Sequence, residues 1–576
     1  MILNELLTRM NCYENKLAVI DEQGHYTYKS LNDRINNIAS SIHVLEHKPK
    51  YIAVFLPGSF QFLAGALATV FSGISYIPVD PNIGASRLKQ IHEQTNCLVL
   101  TSSKFRHVVP EGIECIDIEK TETPQEWPVS SRQGQECLYT IFTSGTTGKP
   151  KGAQVHVSGV DNLLDWYTKE LNITQDDVVL IPSSIGFDLT QKNMFSALST
   201  GALLVFPELS PFDPVYIRNL IAEHRVTKFN CTPSTLSLIS DTNVKEYFSS
   251  LDTVVLGGEQ IAVTVIEHLH ELNPNIRFMN SYGPTECSDV VCFHWITAES
   301  IRSQQDIPIG KNIPNTRLEL ENVFEDDTGR ELGEIVIKGE PVGLGYLDQS
   351  RNSNFDLASS ERSYRTGDLG YFEHGQLIYK GRMDRQVKFN GCLVNLAEIE
   401  YCLLSHEAII NAFVSLDESG KTLVAWYQLK EDMIVPQHQV TEYLEKELPT
   451  YMQPNKLLCK DSFPLNQNNK VDATKLLGEL HSGLPAKPLE TTSATEQFIF
   501  STINELTKEQ VTSKTQSLFD LGMSSLQMVQ LLNRINRKYD LALTPRDLFG
   551  LQNVGDAISF IDSKKVEDLD LNTLII

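Results

Sequence analysis

Metal-ligand signatures, long hydrophobic runs and an excess of positive charge are all missing from this chain of 576 residues. None of the ten cysteines (Cys12, Cys97, Cys115, Cys137, Cys231, Cys287, Cys292, Cys392, Cys402 and Cys459) forms a CxxC pair, so they read as reduced core thiols, not a metal site or disulfide framework. The 14 histidines show no HExxH or similar spacing, and no structural metal is expected. The longest strongly apolar run, around Phe62 to Phe71, falls far short of the ~20 residues of a membrane helix. The N-terminal MILNELLTRMNCYENK is amphipathic and lacks the basic-then-apolar order of a signal peptide. A soluble cytoplasmic protein without a membrane partner is therefore expected. Lys plus Arg number 49 against 73 Asp plus Glu, a net charge of −24; with no positive field to attract a polyanion, nucleic acid is not an expected partner. Internal repeats and low-complexity tracts are absent as well.

What the chain does have, from about residue 50 to 380, is β-branched runs alternating with helical patterns: YIAVFLPG, FLAGALATVFSG, ISYIPVD, ALLVFPE, VYIRNLIAEHRV and TKFNCTP. Such alternation marks βαβ units and a layered α/β body. The length predicts several compact units. We place a large α/β body at 1–383 and, after the charged GRMDRQVK, a small α+β lid at 384–480. A Gly-, Pro- and Ser/Thr-rich linker follows at 481–493, then an all-α four-helix bundle at 494–565 and a tail at 566–576. One bundle helix is expected over 497–508, and Leu526, Val529, Leu532 and Ile535 mark the apolar face of a second. Thr544 and Pro545 read as the start of another.

The stretch 143–152, TSGTTGKPKG, follows a β-like run; its glycines and hydroxyls let backbone N–H and side-chain OH groups converge on phosphate oxygens, with Lys149 and Lys151 adding charge. It fails the Walker pattern, because two residues separate Gly145 from Gly148 and Pro150 stands where Ser or Thr would hold the metal. In isolation such a stretch is also an ordinary polar turn. NSYGPTE at 280–286 sets a hydroxyl and a carboxylate side by side after a Gly-Pro turn, making Glu286 a Mg²⁺ candidate beside a phosphate site. YRTGDL at 364–369 offers Asp368 after a glycine, suited to accept from two ribose hydroxyls.

Taken in order and at these separations, the motifs resemble the adenylate-forming superfamily, and within it the adenylation domain of nonribosomal peptide synthetases. YTYKSL, GISYIPVD, GFDLT, VVLGGE, GEIVIKG, GRMDRQVKFNG, LPTYMQP and PLNQNNKVD extend the resemblance over nearly the whole chain. The resemblance implies ATP and Mg²⁺, with Thr143, Ser144, Gly145, Thr146, Thr147, Gly148 and Lys149 on the phosphates and Gly258 and Glu259 also at the nucleotide. It sets Tyr282 against adenine, Thr285 and Glu286 toward phosphate and metal, Asp368 and Arg382 on the ribose, and Lys470 as the catalytic lysine. An ammonium at Lys470 makes physical sense, since carboxylate attack on the α-phosphorus brings two anions together and moves charge onto pyrophosphate. Asp384 would be the hinge about which the lid rotates between two half-reactions. Leu393 and Asn395 depart from the family, which usually has a basic and an acidic residue there.

LFDLGMSSLQMVQLL resembles the 4'-phosphopantetheine attachment site of a peptidyl carrier protein, with Ser525, immediately before the leucine, as the modified residue and Ser524 as its unmodified neighbour. A serine at a helix start favours an attached phosphodiester. For the substrate, the resemblance sets Asp188 on an α-ammonium and surrounds the side chain with Leu189, Lys192, Asn230, Val255, Gly257, Ser281, Asp289 and Val290. Lys192, Asn230, Ser281 and Asp289 make that pocket polar, which points to a polar amino-acid side chain; Lys192 and Asp289 are equally suited to pair with one another. Implied partners are the amino acid, a phosphopantetheinyl transferase, and a downstream condensation, tailoring or transfer enzyme acting on the loaded carrier. An acyl- or aryl-CoA ligase shares the nucleotide motifs, but Asp188 and the carrier argue against it. A catalytically silent binding module is disfavoured by the presence of Glu286, Asp368, Lys470 and Ser525.

Overall fold

The alternating apolar runs fold as strands and buried helices in the computed structural model, which describes residues 2–573 apart from 121–126, 144–149, 210–211, 260, 262, 298–299, 301–306, 326–328, 384–385, 390–391, 418–419, 421, 431–432, 434, 462, 465–470, 472, 482–492, 508–510, 512, 515, 517, 519–520, 522, 524, 540, 542, 545–546 and 548–552. The chain divides into two units: Met1–Leu209, Val215–Glu398 and Lys446–Tyr451 form the first, Ser210–Pro214, Ile399–Glu445 and Met452–Ile576 the second.

In the first unit, six strands line up in the order Cys115–Asp117, Leu98–Thr101, Tyr51–Phe55, Ser75–Val79, Cys137–Thr143 and Lys151–His156. All pairings are parallel except the last. A nine-stranded sheet runs Lys311–Asn312, Cys292–Ile296, Arg277–Tyr282, Thr253–Gly257, Lys228–Cys231, Val178–Leu180, Leu203–Val205, Leu17–Asp21 and Gly24–Thr27. Its interior pairings are parallel and its edges antiparallel. Both sheets contribute to one core: Ile52 and Val54 from the first, Val19, Leu204 and Val255 from the second, and Ile35, Phe62, Leu164 and Phe195 from helices. Each large apolar side chain fully removed from water there contributes roughly 1.5–3 kcal/mol.

Helix Phe60–Phe71 shows why its run is a core helix. Ser59 caps it by accepting from Phe62 N–H, and every residue but Gln61 is buried. It rides close to the six-stranded sheet: a Cβ on Gly65 would stand 2.6 Å from Leu100 Cδ2. No helix among the described residues is long and apolar enough to cross a membrane.

An antiparallel five-stranded sheet follows, with Thr316–Glu325, Glu331–Gly339, Ser363–Glu373 and Phe355–Asp356 in order and Gln376–Arg382 also paired to Ser363–Glu373. In the second unit, Ile409–Leu416, Leu423–Leu429 and Lys456–Cys459 form a three-stranded sheet, on which helix Ala473–His481 packs Leu476 against Val424 and Trp426. Helices Ala494–Thr507, Ser525–Tyr539 and Val554–Thr573 have a core of their own, with Ile499, Ile503, Leu532, Ile535, Ile558 and Ile561. Leu532 and Ile535 thus lie on the expected apolar face, while the last helix runs on through most of 566–576.

Candidate active site

The parallel strands Lys228–Cys231, Thr253–Gly257 and Arg277–Tyr282 end side by side, and open α/β sheets bind ligands at their carboxyl ends. Here the chain makes a tight turn. Gly283 is obligatory, since a Cβ would fall 1.8 Å from the carbonyl oxygen of Asp289. Ser288 and Asp289 take left-handed φ of 56° and 75°, a cost that non-glycine residues bear mainly at functional sites. The turn delivers Thr285 and Glu286 in a short 3₁₀ helix.

On the phosphate side, Glu286 is buried and accepts from Tyr346 Oη at 2.5 Å. Burial and the Glu286 charge push the Tyr346 phenol up, so it stays a donor. Lys151 lies 5.4 Å over the Tyr346 ring. Thr143 ends its strand paired to Lys151, so hairpin pairing holds both sides of the expected phosphate loop. Its residues Ser144, Gly145, Thr146, Thr147, Gly148 and Lys149 lie outside the described residues, as do Lys470 and Asp384.

On the nucleoside side, Asp368 accepts from Tyr282 Oη at 2.5 Å and from Arg382 at 2.7 Å, one on each carboxylate oxygen. Register explains the second contact, because Asp368 and Arg382 face each other across antiparallel strands. The Lys388 ammonium lies 5.3 Å from the Tyr282 ring centroid and 4.7 Å from that of Tyr379. Desolvation between these rings lowers its pKa, against the pull of Asp368. Glu259 accepts from Ser234 N–H at 2.9 Å, tying the turn at Gly258, whose φ is +83°, to the helix Pro233–Ile239. Sequence reasoning singled out neither Lys388 nor Tyr346. Lys388 stood within a recognised motif, but nothing near Tyr346 in the chain marks it.

On the substrate side, Asp188 opens helix Asp188–Thr200 with Leu189 next to it, and accepts from Thr285 Oγ1 at 2.5 Å. One turn on, Lys192 is buried and reaches Asp289 Oδ2 at 2.5 Å, with its Nζ 5.5 Å over the Tyr167 ring. Burial raises the Asp289 pKa to about 6; Lys192 opposes the rise and Asp188 adds to it. Ser281 donates to the Leu256 carbonyl at 3.0 Å, and Gly257 leaves room for it. Val255 and Val290 are buried in the same core as Tyr167. The Asn230 side chain is buried and turned toward the Tyr167 hydroxyl, whose pKa it lowers against the larger rise from burial.

In the C-terminal bundle, Ser525 is the first residue of helix Ser525–Tyr539, and its side chain lies outside those described.

The chain resembles known proteins along nearly its whole length. The AMP-binding enzyme family matches residues 6–347, the AMP-binding enzyme C-terminal domain 398–470, and the phosphopantetheine attachment site 497–561. Tyrocidine synthase 3 of Brevibacillus parabrevis is 29% identical over 96% of the chain, which spans only 9% of that protein's length. Tyrocidine synthase 1 of the same organism is 28% identical over 96% of the chain and 52% of its own length. Among solved structures, holo-PA1221, an NRPS protein containing adenylation and PCP domains, shares the fold with a TM-score of 0.80 at 24% identity, over 98% of this chain and 96% of that one. The adenylation domain AlmE of Vibrio cholerae, solved with glycyl-adenosine-5'-phosphate, gives 0.72 at 22% identity, over 84% and 98%. With the first match alone spanning more than half of its length, the chain belongs to the AMP-binding enzymes, as an adenylate-forming ligase followed by its C-terminal domain and a phosphopantetheine carrier domain.

Proposed function

We propose that this protein activates an α-amino acid with a polar side chain and loads it onto its own carrier domain. The substrate carboxylate attacks the α-phosphorus of ATP and pyrophosphate leaves; the aminoacyl group of the resulting aminoacyl-AMP then passes to the carrier thiol and AMP is released. The observation that carries this reading is the 2.5 Å hydrogen bond from Thr285 to Asp188. It sets a carboxylate suited to an α-ammonium beside the residue next to Glu286, so both ends of the reacting pair are held by one turn.

The residues fit the groups the reaction needs. Glu286 is a single buried carboxylate, and no cluster of three or more His, Cys, Asp or Glu able to hold a metal occurs among the described residues. That suits Mg²⁺, which takes one or two carboxylates and completes its shell with phosphate and water. Bound at Glu286, Mg²⁺ would supply charge neutralisation for the departing pyrophosphate. Tyr346 fixes the orientation of Glu286, while Arg382 and Tyr282 fix that of Asp368. Lys470 is the ammonium assigned to the α-phosphate and Asp384 the hinge. Ser525 at a helix start suits 4'-phosphopantetheine, which supplies the acceptor thiol. A phosphopantetheinyl transferase would install it, and a condensation, tailoring or transfer enzyme would take the product.

The test is intact-protein mass spectrometry of the phosphopantetheinylated chain with ATP, Mg²⁺ and pooled amino acids, alongside Ser525→Ala. An amino-acyl mass gain that requires ATP and Ser525 supports the reading. Acylation of free coenzyme A in place of the chain would overturn it in favour of a CoA ligase.

A further inference from the structure

The ion pair on the substrate side leaves its two partners in different states. Lys192 has only 1% of its side chain exposed; its Nζ donates to Asp289 Oδ2 at 2.5 Å and to the Leu189 carbonyl at 3.4 Å, and it faces the Tyr167 ring. Asp289 keeps 10% of its side chain exposed, and while Lys192 engages Oδ2, Oδ1 has no hydrogen-bond partner among the described residues. The cation is therefore sealed in, and the carboxylate is the partner that can still meet a ligand. A carboxylate oxygen largely withdrawn from water and left without a donor is costly. Asp289 calls for a ligand that donates to Oδ1.

The surroundings set the charge of that ligand. Asp188 and Asp289 bring two negative charges and Lys192 one positive, near enough that Asp188 adds to the rise in the Asp289 pKa. The α-ammonium proposed for Asp188 balances the set, so a further charge on the side chain would be buried without a counter-charge. Leu189 sets the length. Its N–H donates to Asp188 Oδ1 at 2.8 Å and its carbonyl accepts from Lys192, so a single residue touches both the ammonium anchor and the ion pair, and a short side chain spans the interval. Hydrogen-bond capacity sets the rest. Ser281 donates to the Leu256 carbonyl, and Asn230 is turned toward the Tyr167 hydroxyl. A carboxamide would bring a carbonyl and a second N–H to neighbours already engaged elsewhere, whereas a hydroxyl brings one proton, and Asp289 Oδ1 accepts it.

We infer that the substrate carries a short side chain whose hydroxyl donates to Asp289 Oδ1, so that the amino acid is serine or threonine. This rests on the amino-acid-activating reading above. The experiment is ATP–pyrophosphate exchange by the full chain with each of the twenty standard amino acids and 2-aminobutyrate, for the wild type and Lys192→Met/Asp289→Asn. The expected result is that serine or threonine leads. Serine should exceed 2-aminobutyrate, or threonine exceed valine, by about 100-fold or more in kcat/KM; each analogue puts a methyl where the hydroxyl stands, and a site built to hydrogen-bond its substrate rejects analogues that leave its polar groups unpaired. The double variant removes both charges together and keeps at 289 a residue that tolerates left-handed φ, and it should cut that ratio by about tenfold or more. An undiminished ratio in the folded variant overturns the role of Asp289; should the variant not fold, the wild-type profile decides alone. A lead for any other side chain overturns the hydroxyl assignment and leaves amino-acid activation standing. Exchange with none of the amino acids overturns both.

Discussion

Asp368 receives Tyr282 on one oxygen and Arg382 on the other, so removing its charge takes away the carboxylate on which a phenol and a partly buried guanidinium converge. Asp368→Ala should therefore raise KM for ATP by about 30-fold or more, the equivalent of the roughly 2 kcal/mol or more lost when one partner of a buried hydrogen-bonded charge pair is truncated. ATP titration of pyrophosphate exchange checks it. Asp289 makes a pH prediction. Its pKa is raised from 3.8 to about 6, so the folded state holds a proton the unfolded chain has lost; the associated stability is complete below about 3.8 and lost as pH rises through about 6. The thermal midpoint of the wild type relative to Asp289→Asn should fall between pH 4 and 6, by an amount corresponding to up to about 3 kcal/mol. A flat difference over that range would contradict the assignment. Local turn chemistry marks Glu286 and Asp368 as candidates in the sequence, whereas Asp188 is singled out only by the family resemblance. Tyr346 was not legible, since its partner Glu286 lies 60 positions away and only the fold unites them.

Two glycines separate tolerable from intolerable crowding at the level of elements. A Cβ on Gly65 would meet the end of a Leu100 side chain at 2.6 Å, whereas one on Gly283 would meet backbone oxygen at 1.8 Å. Side-chain ends shift and backbone does not. Gly65→Ala should cost about 1–3 kcal/mol and keep pyrophosphate exchange, while Gly283→Ala should abolish it through displacement of Thr285 and Glu286. Thermal denaturation and exchange measured together distinguish the two outcomes. The helix at Phe60–Phe71 was legible as buried because it is apolar on every side, and the βαβ alternation announced both sheets. Strand order was not legible, because a parallel sheet is assembled from crossovers whose neighbours, such as Leu203–Val205 beside Leu17–Asp21, lie far apart in sequence.

For the molecule as a whole, separability is the main consequence. Among the described residues, the core of the C-terminal helices draws on residues from Phe498 to Ile561, and the packing of helix Ala473–His481 draws on its own sheet. A chain ending at His481 should thus keep amino-acid-dependent pyrophosphate exchange and lose every acyl mass gain, while a fragment of 493–573 should fold and accept phosphopantetheine. Circular dichroism and mass spectrometry of the two pieces check this. If the shortened chain loses exchange, the C-terminal helices support catalysis directly. In the sequence, the change from layered α/β to helical periodicity is what predicts this division. The satisfaction of Lys192 by Asp289 was not readable there, because pairing and substrate contact demand the same residue types.

The turn from Gly283 to Asp289 also bears on how such a pocket diversifies. Its path is dictated by backbone contact at Gly283 and by left-handed Ser288 and Asp289, not by the side chains proposed to meet the amino acid. Positions 192 and 230 lie outside the turn and are therefore expected to vary with less displacement of Thr285 and Glu286 than position 289, whose left-handed φ belongs to the path, as long as residue 283 stays glycine.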